Sequence, residues 1–350
     1  MHTKIYGTIG PSCCKADTLQ EMFALGMTGL RLNTSHTTLR AAASQIREIH
    51  KAAEACHINA DLLIDLQGPE LRVGILQEPI AFTTGSTQIL SWEKIPFPQL
   101  VREALTTGQQ ILLDDGKILL EVISADSETA RTAQIARSHF RSSDGITVKV
   151  LRGGTLTSRK SIALPGSNLY PPTLTEQDLQ NIRDAAAYGV TGLMQPFVRD
   201  AEDLKTVRQA LHQAGLDHIR IFAKIENMEG VQNLQSFFPY CDEVVIARGD
   251  LGNAMPLWKL PVVQEMIAGA CKRAGKPYMV VTQMLASMEH AAVPTRAEVS
   301  DIYRAVAGGA ASIMVTGETA VGDYPVEVMR YLTNTARETE EWMQEKNDRG

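Results

Sequence analysis

The chain has 350 residues, 44% hydrophobic and 21% charged, the balance of an ordinary globular protein and enough for a barrel with an insertion. A net charge of −6 gives no footprint for nucleic acid, and no apolar run approaches the roughly 20 residues that span a bilayer. MHTKIYGTIG lacks the charged-then-apolar layout of a leader, and five cysteines without a C-x-x-C pair argue against a disulfide framework, so a cytoplasmic protein is expected.

KIYGTI (4–9) reads as a first strand, stopped by Gly10-Pro11. Helix signals follow from Lys15 to Leu25, with Gly26 past the end. TGLRLN (28–33) is a second strand carrying Arg31 and Asn33 on one side, a long helix covers 37–56, and DLLIDL (61–66) is a third strand. This alternation marks a parallel sheet. Between 73 and 160 it gives way to short β-rich pieces, among them LLDDGKILLEV with the Asp-Gly turn of a hairpin. An insertion at the C-terminal end of a strand predicts a lid over whatever is built there.

After LPGSNLYPPTLT the alternation returns. TEQDLQNIRDAAAYG is a helix capped by Thr175 and ended by Gly189, and GLMQPF (192–197) is strand four. A helix at 201–214 leads to RIFAKIE, strand five, and EVVIARGD, strand six, expected to end on Asp250. A helix at 261–275, YMVVTQ (278–283) and SIMVTG (312–317) complete eight strands, and the last helix starts near Pro325 and should fray in its charged tail. Eight strand-helix units predict an α/β fold, a (β/α)8 barrel, with its site at the C-terminal ends of the strands.

The polar residues collect at those ends: Arg31, Asn33, Ser35, Asp65, Lys224, Glu226, Asp250, Thr282 and Glu318. Lys224 and Glu226 lie two apart on one strand and so share a side. Alone, such a pair is better explained as a buried tie between strands. With Asp250 on the next strand it becomes two carboxylates and an ammonium, fit for a divalent cation and an anionic substrate. Oxygen donors with Lys and Arg favour Mg²⁺ and a phosphorylated anion, and no His/Cys set has zinc spacing.

TKIYGTIGPS, LRLNTSH, DLQGPELR, LLDDGKILLEV, AKIEN, ARGDLG, TQMLASM, PTRAEVSD and TGETAVGDYP together resemble the pyruvate kinase family, in order and spacing, over nearly the whole chain. The resemblance implies a barrel from 1–72 and 161–350, an inserted small β-barrel lid domain at 73–160, and an end where the family's C-terminal regulatory domain begins. Any homo-oligomer would then use barrel helices. The implied reaction moves a phosphoryl group from phosphoenolpyruvate to ADP, giving pyruvate and ATP.

Residue by residue, the resemblance implies Glu226 and Asp250 as ligands of Mg²⁺ (or Mn²⁺), with Lys224 and Arg31 on the phosphoryl group. It implies the backbone N–H groups of Gly249 and Asp250 on the substrate carboxylate and Thr282 at the proton-delivery step. Asn33, Ser35, Asp65 and the Leu66 carbonyl match the family's K⁺ site, and Asp65 without that cation should be left unbalanced. Thr8, Pro11, Arg31, Arg72, Lys160 and Asp115 match positions near the nucleotide. Leu66, Gln67, Val73, Pro196, Ala254 and Val321 depart from the family pattern, and Pro196, beside the phosphate, is the change expected to alter substrate fit most. Two other readings use the same residues: a divergent relative acting on another enol phosphate or a 2-oxo acid, and a non-catalytic metabolite-binding protein.

Overall fold

A computed structural model of the chain describes residues 2–35, 37–114, 116–124, 145–167 and 169–349. It divides into two compact units, Met1–Gly68 with Thr173–Gly350, and Pro69–Pro172. The first unit opens with β1 (Lys4–Thr8), α1 (Ala16–Leu25), β2 (Gly29–Asn33), α2 (Ala43–Ala55) and β3 (Asp61–Asp65). Gly26 caps α1 at φ 116, a conformation open to glycine, and its N–H donates to the Phe23 carbonyl. α2 starts later than the sequence predicts. Thr38 Oγ1 accepts from Ala41 N and Leu39 N donates to Asn181 Oδ1, so this stretch is held as a turn.

The second unit holds β4 (Ile80–Phe82), β5 (Thr87–Ser91), α3 (Gln99–Ala104), β6 (Gln110–Leu113), β7 (Ile118–Ser124), β8 (Gly145–Arg152), β9 (Gly154–Leu156) and β10 (Ile162–Ala163). They form a five-stranded antiparallel sheet, β10-β6-β7-β8-β5, and a two-stranded pair, β4-β9, around a core that includes Leu90, Ile111, Leu120, Val148 and Leu156. The hairpin read from LLDDGKILLEV is present, β6 pairing β7 across a turn in which Asp114 and Gly116 take φ 51 and 79. Asp115 itself lies outside the described residues.

The first unit resumes with α4 (Glu176–Asp184), β11 (Gly192–Gln195), α5 (Ala201–Gln213), β12 (Arg220–Ile225), α6 (Met228–Phe237), β13 (Glu243–Ala247), α7 (Arg248–Asn253), α8 (Leu260–Arg273), β14 (Tyr278–Val281), α9 (Arg296–Ala307), β15 (Ser312–Met314), α10 (Gly317–Ala320) and α11 (Pro325–Arg349). Thr175 caps α4 through a capping box with Asp178, and Gly189 closes the following 3-10 turn at φ 68. α11 runs as a helix through the charged tail to Arg349. Glu340 accepts from the His2 and Thr3 N–H groups, tying this helix to the start of the chain.

Eight parallel strands close into a barrel in the order β1-β15-β14-β13-β12-β11-β3-β2. The two-residue period sorts their side chains. Tyr6, Leu63, Met194, Phe222, Val245, Met279 and Met314 fill the interior, while Leu62, Ile64, Ile221, Val244, Ile246 and Ile313 face the helices. Each such apolar side chain contributes about 1.5–3 kcal/mol on burial. Among the described residues no helix is long and apolar enough to cross a membrane.

The strands stop earlier than their apolar patterns suggest. β11 ends at Gln195, before Pro196, which has no N–H to extend a ladder, and Phe197 turns to φ 51. β14 ends at Val281, and Thr282 and Gln283 take φ 79 and 55. β13 ends at Ala247, so Asp250 sits in the first turn of α7 and not on a strand.

Candidate active site at the C-terminal ends of the strands

The register sets Asn33 beside Asp65 and Asp65 beside Met194. Asp65, buried at the end of β3, takes Arg31 Nε and Nη2 on Oδ2 at 2.9 and 2.6 Å, and Lys224 Nζ on both oxygens at 3.2 and 3.1 Å. Burial pushes this carboxyl up, but Lys224 and Arg31 outweigh it and hold it below the usual range. The expectation that Asp65 stands unbalanced is therefore corrected: side chains from β2 and β12 already neutralise it.

Lys224 also pairs with Glu226 Oε1 at 2.9 Å, as their spacing predicts. Burial alone would lower the ammonium pKa; Asp65 and Glu226 raise it instead, so Lys224 stays charged. Glu226 Oε2 accepts from Phe197 N at 2.8 Å. Burial pushes the Glu226 carboxyl up to about 7, with Asp250 and Asp65 adding to the rise and Lys224 opposing it. Asp65 and Glu226 share the Lys224 ammonium, with Arg31 as the second cation on Asp65, and the charge of Asp250 is felt at Glu226. Among the described residues no group of three or more His, Cys, Asp or Glu is set for a metal, so a cation here would rest on Glu226 and Asp250 and complete its shell from substrate or water.

Thr282 sits against the start of α7: a Cβ built on Gly249 would lie 3.0 Å from Thr282 Cγ2 and 3.7 Å from its hydroxyl. The N–H groups of Gly249 and Asp250 lie in the first turn of α7. Asn33 Oδ1 accepts from Ser35 N and Oγ at 3.1 and 2.7 Å, and buried Leu66 donates its N–H to the Met194 carbonyl. Pro196 packs on Gly68, where a Cβ would fall 2.5 Å from the proline Cγ.

Of the residues matched to the nucleotide, Thr8 is buried with both donors used inside the barrel, its N–H on Thr319 Oγ1 and its hydroxyl on the Val315 carbonyl. Pro11 is exposed. In the second unit Arg72 meets Glu70 and the Arg159 carbonyl, and Lys160 pairs with Asp114 at 2.8 Å. Glu318, expected among the polar strand ends, is a loop clasp: it is buried and accepts from Thr316 N at 2.6 Å and Leu285 N at 3.2 Å.

The sequence model described as "Pyruvate kinase, barrel domain" matches residues 1–329. The chain belongs to the pyruvate kinase family. It is 34% identical to a pyruvate kinase of Geobacillus stearothermophilus, over 99% of this chain and 58% of the relative. It is 36% identical to pyruvate kinase PKLR of Homo sapiens over 97% and 60%, and 36% identical to a pyruvate kinase of Aeropyrum pernix over 94% and 69%. The chain thus spans about three fifths of the length of the first two pyruvate kinases.

Against the family pattern, two groups escaped the sequence reading. Asp178 Oδ1 and Oδ2 accept from Gln67 N and Gly68 N, so the residue that completes the α4 capping box also clamps the turn after β3. Its signal was present in T-E-Q-D, but a box reports a helix start and not what else its carboxylate reaches. The Phe197 N–H on Glu226 had no signal, being backbone.

Proposed function

We propose that this site transfers the phosphoryl group of phosphoenolpyruvate to ADP and protonates the resulting enolate to pyruvate. The observation that carries the reading is Lys224, a buried ammonium held by Asp65 and by Glu226, whose carboxyl also feels the charge of Asp250. Such a group is positioned before substrate arrives, and phosphoryl transfer needs positioning and charge more than covalent help. Arg31 and Lys224 bind the phosphoryl oxygens, and Lys224 neutralises charge on the enolate oxygen as the phosphorus–oxygen bond breaks. The Gly249 and Asp250 N–H groups orient the substrate carboxylate. Thr282, working through water, delivers the proton to the methylene carbon.

Glu226 and Asp250 fit Mg²⁺ or Mn²⁺ by donor type and by the mutual charge that raises Glu226, and the ion would supply positive charge to the phosphate. Asn33, Ser35, Asp65 and the Leu66 carbonyl are the oxygen donors proposed for K⁺. Pro11, Arg72, Lys160 and Asp115 are proposed as nucleotide contacts, with Thr8 as a support, its donors being engaged. A cytoplasmic location and assembly through barrel helices accompany this reading. The test is pyruvate formation from phosphoenolpyruvate and ADP with Mg²⁺ and K⁺. Turnover that depends on all of these supports the proposal; no pyruvate from folded protein overturns it.

A further inference from the structure

A threonine at φ 79 is costly, because its branched Cβ crowds the backbone, and such a residue persists only where its surroundings hold it. Arg248, the first residue of α7, does the holding. Its Nε and Nη2 both donate to the Thr282 carbonyl, at 3.1 and 2.7 Å. Its Nη1 pairs with Asp301 of α9 at 2.5 Å. The side chain is 11% exposed, so the guanidinium works away from water. A planar fork with two arms on one oxygen and a third on a carboxylate fixes direction as well as distance, which an ammonium cannot do. On the other side Gly249 leaves room that a Cβ would take, 3.0 Å from Thr282 Cγ2.

We propose that Arg248 is a positioning residue for Thr282, anchored by Asp301, and that it holds the left-handed turn so that the threonine hydroxyl stays beside Gly249. The inference rests on the phosphoryl-transfer reading, in which Thr282 serves the proton step. Arg248 acts only through Thr282.

The test is a double-mutant cycle on the full chain. Arg248→Lys keeps a charge for Asp301 but loses the fork. We expect kcat to fall at least tenfold with the KM for phosphoenolpyruvate within twofold. In a Thr282→Ala background the same substitution should change kcat by less than twofold, since nothing is left to position. Equal losses in both backgrounds overturn the inference. Should the lysine variant not fold, Asp301→Asn, which loosens the anchor, must give the same non-additive pattern at smaller size, and an additive one overturns the inference. If the parent makes no pyruvate, the proposed function fails and a crystal structure of either folded variant decides. Thr282 leaving its left-handed conformation supports the inference, and Thr282 unmoved beside Gly249 overturns it.

Discussion

β3 carries an aspartate at each end, and each has gathered a cluster of charges. At the N-terminal end Asp61 accepts from Lys4 Nζ at 2.9 Å, Tyr6 Oη at 2.7 Å and Thr191 Oγ1 at 3.2 Å, and pairs with Arg220 at 2.7 Å. At the C-terminal end Asp65 takes Arg31 and Lys224. By ion-pair count the two look alike. Burial raises both carboxyls and their partners hold both low. Nor does one raised carboxyl separate them, because burial raises Glu243 at the N-terminal end too, where it meets Ser312 at 2.5 Å. What differs is the setting. Beyond Asp65, Lys224 is shared with a second carboxylate, Glu226, whose pKa the charge of Asp250 raises further, and the left-handed residues Phe197, Thr282 and Gln283 follow β11 and β14, while at the other end His57 takes φ 54 ahead of β3. Three carboxylates whose charges act on one another, one of them raised, are the setting proposed for chemistry; the Asp61 cluster is the one expected to hold the barrel.

The largest expected effect comes from Lys224→Met. Losing a preorganised charge at the transferring phosphoryl group should cost about 3 kcal/mol or more, roughly a hundredfold in kcat. Because Lys224 neutralises Asp65 and Glu226 in the interior, the substitution should also destabilise the fold by about 3 kcal/mol. Coupled-assay rates and thermal melts check the two halves. A folded variant within threefold of the parent rate would remove Lys224 from its role.

Much of this site was legible in the sequence because it follows from a period of two. DLLID turns Leu63 inward and Leu62 and Ile64 outward, and K-x-E sets Lys224 and Glu226 on one side. Capping by Thr175 and Gly189 was equally direct. The partners of Asp65 were not legible as such, since Lys224 stands 159 residues away and only barrel closure brings it near. The strand ends were misread for a related reason. Apolar patterning runs on through YMVVTQ, and no composition signal says that a threonine will turn left-handed when an arginine from another strand end grips its carbonyl. Sequence pattern reports which face a residue takes; it does not report what a backbone oxygen meets.

Next in size is a pH dependence carried by Glu226. A carboxyl raised to about 7 must lose its proton before it can bind a cation. Below that pH, Mg²⁺ affinity should weaken by up to about tenfold per unit, and above it the dependence should flatten. In metal-free protein the sign reverses. The folded state then holds a proton that the unfolded state releases near the ordinary carboxylate range, so the contribution of Glu226 is full below that range and is lost as pH rises through about 7. Calorimetric Mn²⁺ titrations from pH 5.5 to 8 check the first, and metal-free melts the second. A flat Mn²⁺ profile would mean that Glu226 is already ionised.

Replacing K⁺ with tetramethylammonium at fixed Mg²⁺ and ionic strength should lower turnover, but less. Arg31 and Lys224 already balance Asp65, so K⁺ would add charge near the phosphate without rescuing a bare carboxylate. About tenfold, or 1.4 kcal/mol, is the expected scale. Undiminished turnover without K⁺, Na⁺ or NH₄⁺ would mean that those two side chains suffice.

The smallest effect on activity, and the one that most directly tests the contrast between the two ends of β3, belongs to Arg220→Met. Arg220 is only one of four partners of Asp61, which keeps Lys4, Tyr6 and Thr191 when the guanidinium is gone. The variant also gives up the stacking of Arg220 over Phe222, 5.1 Å from the ring centroid. A charged hydrogen bond lost with its acceptor still partly served should cost about 2 kcal/mol of stability. The pH dependence has a definite sign. Asp61 is depressed in the folded state, so its contribution is present above the ordinary carboxylate range and is lost as pH falls through its lowered value. Removing Arg220 weakens that contribution, so the parent and variant melting temperatures should differ at neutral pH and converge on acidification. Meanwhile kcat and the KM for phosphoenolpyruvate should stay within twofold, because among the described residues nothing in this network reaches the other end of the strand except through packed apolar side chains. A loss of turnover as large as that of Lys224→Met, in a variant that remains folded, would mean that the two ends are coupled and that the N-terminal cluster is part of the working site.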